Sequence, residues 1–568
     1  MERTRERPRH VAVLAARLRG AVGSRLRELS TGGWVVGTLF FAFSLTPSLI
    51  PRSTLFQGIV SGCSLAIGYA LGVVGRWLWH YLELPVPSGR ARRRAELVAA
   101  ATCTAVAAGF LWRASGWQDS LRVLVAMEPV EHARPVSVAL IALLLFLVAR
   151  ALARLFRRVY RLLSRLLKRF VPRRLAHVLG VAAAAVLFWS VVEGVVFSAA
   201  LRAADASFRE VDALIPDDVA PPTDSMKSGS PASLIAWHDL GKRGRAFVTA
   251  GPTAHEIGAF VGAAAPEPIR IYVGLNAAPT PQARARLALR EMIRVGAFAR
   301  SVLVLVTPTG TGWVDPAALD PVEFLHRGDI ASVAAQYSYL PSPLALIAED
   351  AYGAETAAAL FEEVYGYWTR LPPGDRPRLY LFGLSLGALD AEGSFHLHDV
   401  LADPFQGALW AGPPFRSETW RSVTADRDSG STAWLPRYRN GAVVRFMNQH
   451  GGLGASAARW GPLRIAYLQY ASDPITFFDV RSAFRQPDWM RPPRGPDVSP
   501  ALRWYPIVTM LQLAADMAAG AGATPPGFGH NFAVEHYIDA WVALTEPPGW
   551  GDRDITRLKT RFRSRAER

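Results

Sequence analysis

Cysteine is nearly absent: the chain of 568 residues has two, Cys63 and Cys103. Two thiols cannot staple a disulfide scaffold or build a Cys-based zinc site. Charge is sparse as well, at 19% of residues, against 50% hydrophobic with 17 Trp and 27 Phe. Such a composition excludes a mainly disordered chain. Acidic residues are scarcest at the start. Residues 1–203 hold 28 of the 63 Lys and Arg but 9 of the 47 Asp and Glu, a balance of +19. The rest of the chain carries −3, so the overall +16 belongs to the first third. The remainder is a poor electrostatic match for a phosphate backbone, and no nucleic-acid partner is expected.

The first third alternates apolar stretches with Arg clusters. Five spans are predicted, near 34–50, 58–75, 97–112, 136–152 and 178–200, several of them short for a bilayer that needs about 20 residues. Span 97–112 is Ala-rich, and 136–149 reaches a full crossing when Arg150 snorkels. The basic blocks test this count, because cytoplasmic loops carry the excess of Lys and Arg. The eight Arg between Arg3 and Arg27, the Arg90–Arg94 cluster and the ten Lys/Arg from Arg150 to Arg174 all fall on one side only with five spans. This places the N-terminus inside and the C-terminal domain outside the cytoplasm, in a multi-pass protein of the cytoplasmic membrane. The leader is too long and charged to read as a cleavable signal peptide. Within 150–174, Leu152, Leu155, Phe156, Val159, Leu163, Leu166, Leu167 and Phe170 line one helical face and Arg/Lys the other. That pattern predicts an interfacial helix against anionic headgroups, with a plain basic stop-transfer segment as the alternative. Glu193 is expected as an interfacial acid near the end of the fifth span.

Residues 204–232 read as a linker, rich in Pro, Asp, Ser and Gly. From about residue 233 to 548 the pattern changes to short β-rich runs: Ile269–Leu275, Val302–Thr307, Leu379–Phe382, Gly407–Ala411, Val443–Met447 and Ile465–Tyr470. Helical stretches such as Pro281–Phe298 and Glu355–Leu371 lie between several of them. Alternating strands and helices predict an α/β domain with a largely parallel sheet. Residues 549–568 form a basic tail. Ligands of such sheets bind beyond the C-terminal ends of strands, so residues just after strands are the candidates.

After Arg378–Phe382 comes Gly383-Leu384-Ser385-Leu386-Gly387, a G-x-S-x-G pentapeptide. A Ser on a sharp strand-to-helix turn needs small neighbours, and its hydroxyl then stands clear of the sheet. The N–H of Leu386 at the helix start can donate to an oxyanion. A Ser nucleophile needs a base and an orienting acid, here in the chain order Ser, acid, His. Asp473 follows the run Ile465–Tyr470 directly and is the predicted acid. Asp479 and Asp488 lie further into loops. His530, in a Gly-flanked loop (Gly527-Phe528-Gly529-His530), is the predicted base. His536 lies on the following helix, and His396, His398 and His450 come too early. The second oxyanion donor is expected from the loop Thr307–Trp313, through Gly310, Thr311 or Gly312. The same loop could cradle a phosphate, but it lacks the Lys of a P-loop.

These residues together resemble the α/β-hydrolase fold. More narrowly, the chain is similar to a bacterial, actinobacterial-type family of membrane-anchored α/β-hydrolases with a multi-span N-terminal domain. The resemblance rests on Thr307–Val314, Gln336–Pro341, Gly383–Gly387, Ala408–Pro414, Tyr467–Pro474 and Gly529-His530-Asn531. Leu384 departs from the Glu that the resemblance implies before the Ser. The expectation is therefore an α/β-hydrolase domain preceded by an all-α transmembrane domain of about five helices. The expected activity is that of a membrane-anchored serine esterase acting on an acyl ester, a lipid or an envelope component, without metal or cofactor. Acyl transfer by the same site, or a non-catalytic scaffold or transport component, are the alternatives.

Overall fold

The computed structural model describes residues 30–129, 134–197, 207–214, 220–341, 345, 352–454 and 458–566. The chain divides into two compact units. The first holds helices α1 (Thr31–Ser44), α2 (Thr54–Tyr81), α3 (Gly89–Leu124) and α4 (Pro135–Leu167), with the start of α5 (Arg173–Trp189). α2, α3 and α4 are long and apolar enough to cross a membrane. The 14 residues of α1 rise only about 21 Å against a hydrocarbon core of about 30 Å. α5 continues as a π-helical segment, Ser190–Phe197, in which Glu193 is exposed. The stretch expected as an interfacial helix or a basic stop-transfer segment is not a separate element up to Leu167. No Gly or Pro interrupts residues 136–167, so α4 runs through Arg150 as one 33-residue helix.

Small residues set the packing of this unit. A Cβ on Gly72 would lie 2.4 Å from the Gly32 carbonyl, and one on Gly68 would lie 2.8 Å from Phe40. Close approach of backbones through small residues is the usual way apolar helices associate without a hydrophobic drive. α1 therefore runs antiparallel to α2. Gly58 abuts Ile141 and Gly62 abuts Leu145, so α2 and α4 run parallel. Residues 501–515, far along the chain, belong to this unit too. Gln512 donates to the carbonyls of Phe43, Ser44 and Thr46 at 3.4, 3.3 and 3.0 Å. It thereby adds to the bonds at the end of α1, where Thr46 also donates to the Phe43 carbonyl and Gln57 to that of Ser44. Tyr505 stacks on Phe43 at 4.2 Å.

The second unit is built on a seven-stranded sheet in the order β1-β3-β2-β4-β5-β7-β6, with every pair parallel. The strands are β1 (Ile269–Val273), β2 (Val302–Thr307), β3 (Ile330–Ala335), β4 (Arg378–Leu384), β5 (Gly407–Ala411), β6 (Val444–Met447) and β7 (Arg464–Leu468). Helices α6 (Pro281–Arg294), α7 (Pro316–Leu325), α8 (Tyr352–Trp368), α9 (Leu386–Glu392) and α10 (Val534–Thr545) flank it. Almost every strand residue is buried, as a parallel sheet covered by helices requires. The stretch expected as a linker contains a helical turn at 207–213. Arg245 donates to the carbonyls of Asp212 and Leu214 there, at 3.0 and 2.7 Å.

A buried ionic cluster ties β1 to α7. Arg270 reaches both oxygens of Glu323, at 2.6 and 2.9 Å, and Asp320 at 2.7 Å. At the start of α7, Asp315 caps the helix by accepting from Ala317 N–H at 2.9 Å. Burial pushes its carboxyl up from 3.8 to about 6. A raised folded-state value means that its stabilising contribution is complete below about 4 and is lost as pH rises through about 6. Asp315→Asn keeps the capping acceptor and removes the titration. From pH 4 to 7 the stability of this variant relative to wild type should therefore improve by about 2 kcal/mol. Melting curves across that range check this, and a constant difference would contradict it.

Candidate active site

Register brings the relevant strand ends together. Thr307 of β2 pairs with Gly383 of β4, Leu384 with Ala411 of β5, and Ala411 with Leu468 of β7. The residues that follow these strands therefore meet at one edge of the sheet.

Ser385 leaves β4 with φ 57° and ψ −123°, a conformation that costs a non-Gly residue of order 1–3 kcal/mol. Its N–H donates to the Ala411 carbonyl at 2.9 Å, which holds the turn against β5. Both glycines of the pentapeptide are required sterically. A Cβ on Gly383 would lie 2.2 Å from the Gly387 carbonyl, and one on Gly387 would lie 2.2 Å from that of Thr307. The start of α9 thus packs directly on the end of β2, beside the loop 308–313. Leu386 is the first residue of α9, so its N–H is one of the amides that a helix leaves unbonded at its N-terminus.

Asp473 is fully buried and caps the short helix Pro474–Phe477. Oδ1 accepts from the N–H groups of Ile475 and Thr476 at 2.8 and 3.4 Å. Oδ2 accepts from Thr476 Oγ1 at 3.1 Å and from His530 Nδ1 at 2.7 Å. With that acceptor in place, Nδ1 carries the proton and Nε2 presents its lone pair. Nε2 is buried and has no hydrogen-bond partner among the described residues. Gly412 forms the wall behind the imidazole: a Cβ there would lie 2.6 Å from His530 Cε1 and 2.9 Å from Nδ1. The neighbouring Ala411 bonds the Ser385 amide, so one residue step separates the contacts to the serine turn and to the histidine ring.

In the loop after β2, Gly312 N–H donates to the Thr309 carbonyl at 2.7 Å, and the Gly312 carbonyl accepts from Tyr272 Oη at 2.7 Å. Gly312 is thereby bonded within the loop, and Gly310 and Thr311 lie at its tip. The other acids and histidines sit elsewhere. Asp479 accepts from Arg481 N–H, Asp488 faces Arg427 at 3.5 Å, and His536 bonds Tyr470 Oη at 2.5 Å. His396 and His398 stack on each other.

Sequence reasoning missed three supports. Gly412 is one. Glu392, at the end of α9, accepts from Ser417 Oγ, from Tyr467 Oη at 2.9 Å and from Thr419 N–H at 2.6 Å, bracing the serine helix. The third is a relay between the acid and histidine loops. Ser472 donates through N–H and Oγ to Asp497 Oδ2, at 3.0 and 2.5 Å, and its Oγ accepts from Gly529 N–H at 2.9 Å. Residue 472 precedes the acid and 529 precedes the histidine, so this relay fixes their separation. Ser472→Ala should lower kcat on an acyl ester roughly ten- to hundredfold and displace the pH–rate profile, with KM unchanged. A rate within twofold of wild type at every pH would contradict the positioning role.

Among the described residues, no group of three or more His, Cys, Asp or Glu is placed to hold a metal ion. A family model described as the alpha/beta-hydrolase family matches residues 269–558. A second, described as the N-terminus of that family, matches residues 45–252. No curated protein and no solved structure matches the chain.

Proposed function

The chain belongs to the α/β-hydrolase family, and from that premise we propose that it is a serine hydrolase of acyl esters. Ser385 Oγ attacks the carbonyl carbon while His530 Nε2 takes its proton. Asp473 holds the imidazole in orientation and stabilises its cation. Amides of Leu386 and of the Gly310–Thr311 loop tip bind the oxyanion. His530 then returns the proton to the leaving alkoxide, and water or a hydroxyl acceptor resolves the acyl-enzyme. The observation that carries this reading is the 2.7 Å His530–Asp473 pair, set at the same sheet edge as a serine held at φ 57°. Arg distribution and the three apolar helices support anchoring in the cytoplasmic membrane with the enzyme unit outside. A lipid or envelope ester is the substrate class that such a location favours.

The test uses the full chain in mild detergent with a panel of p-nitrophenyl acyl esters. Turnover of at least one ester, with a burst of p-nitrophenol equal to the enzyme present or a linear rate above buffer, is expected. A folded preparation inert towards the whole panel would contradict the reading for simple esters.

A further inference from the structure

α2 and α4 leave between them an open groove of about 1140 Å³. One part of its wall is apolar: Ala66, Ile67, Ala70 and Val73 from α2, with Phe146 from α4. The other part is cationic: Arg76 from α2, and Arg150, Arg154, Arg157, Arg158 and Arg161 from α4. Arg150, Arg154, Arg158 and Arg161 follow one another at intervals of three and four, which puts them on one face of the helix, and Arg157 adjoins that face. The α4 wall changes from apolar to basic along the groove, while α2 contributes Arg76 between the apolar Val74 and Trp77. Arg150 shapes the junction, donating to Tyr69 Oη at 3.0 Å and lying 5.7 Å from that ring's centre. No Asp or Glu is among the described residues that line the groove.

A groove with an apolar α2 wall facing a row of guanidinium groups on α4 is complementary to an anionic amphiphile. Arg groups suit phosphate because their planar fork can donate two parallel hydrogen bonds. The apolar part lies in two helices long and apolar enough to cross a membrane, where an acyl chain would be at hand. We infer that this groove binds an anionic phospholipid. Its phosphate sits among Arg154, Arg157 and Arg158, and one acyl chain lies along Ile67, Ala70, Val73 and Phe146. The chain's own leader is a poor occupant, since residues 1–29 carry eight Arg against three Glu and share the groove's sign. The inference does not depend on the enzymatic reading.

Native mass spectrometry of the full chain in detergent tests it. Dioleoyl phosphatidylglycerol and dioleoyl phosphatidylcholine are titrated separately, with inorganic phosphate as competitor. Wild type should take up the glycerol lipid at concentrations about tenfold below the choline lipid. The variant Arg154→Gln/Arg157→Gln/Arg158→Gln should bind it about a hundredfold more weakly, at a factor of about five for each charge. The variant Arg90→Gln/Arg93→Gln/Arg94→Gln, which removes equal charge outside the groove, should bind like wild type. Equal uptake by the groove variant, or equal uptake of the two lipids, would overturn the inference. Complete displacement by millimolar phosphate would also overturn it, in favour of a free-anion site. If the triple variant melts early, the exposed single change Arg158→Glu carries the test, with at least a tenfold loss expected.

Discussion

Replacing Ser385 by alanine should lower kcat on any ester the protein turns over by about 10⁴- to 10⁶-fold, with the melting temperature held to within a few degrees. The change removes one oxygen from a side chain that is 5% exposed, at a turn whose geometry is set by the Ala411 carbonyl and by Gly383 and Gly387. None of these contacts involves the hydroxyl, so the fold should not register its loss. On the proposed mechanism serine, histidine and acid act as one unit, so adding His530→Ala to Ser385→Ala should cost nothing further. Two full losses that multiply would mean that the residues act separately. A residual rate within tenfold of wild type in Ser385→Ala would mean that the chemistry uses another group.

The second large effect is expected at a residue with no chemistry of its own. Gly412→Ala should lower kcat about a hundredfold. Gly412 has φ 52°, a region unfavourable to residues with a Cβ. The new methyl would also sit 2.6 Å from His530 Cε1 and 2.8 Å from Phe532 Cε2. The ring cannot give way freely, because Nδ1 is held by Asp473 at 2.7 Å. Imidazole and carboxylate must then separate or tilt, which turns Nε2 away from the orientation that Asp473 gives it. KM should change little, since the wall faces the histidine. Steady-state kinetics on one ester, beside circular dichroism of the variant, separates this outcome from unfolding. Full kcat in Gly412→Ala would show that the wall does not set the ring.

Local signals account for most of what is legible in the sequence. β2 and β4 are runs of large apolar residues ended by Pro or Ser, and β5 centres on Leu409-Trp410 and is ended by Gly412, so their positions follow from that pattern. β3 escapes it because Ile330-Ala-Ser-Val-Ala-Ala335 is mostly small and lacks a strand signature. It forms a strand because β1 and β2 pair with it on both sides. The serine turn is legible because its steric demand is met within five residues. Ser472, Asp497 and Gly529 are not, because their relay joins residues 25 and 57 positions apart. Gly412 is visible only as a turn residue after a strand, and its purpose depends on a ring far along the chain. In the helical unit, hydropathy locates the apolar cores of the helices but not their ends. α4 outruns the predicted span because Arg residues continue a helix as well as Leu does. The docking of Gln512 onto the end of α1 has no sequence signal, since it joins residues 468 positions apart.

The central claim is that Ser385 is the nucleophile. Its most direct test is to treat the full chain with a fluorophosphonate, digest it and locate the adduct by mass spectrometry. One adduct is predicted, on the peptide containing Ser385, and none on that peptide's counterpart in Ser385→Ala. An adduct on another residue that persists in Ser385→Ala, or a folded and esterase-active protein that takes no label, would contradict it.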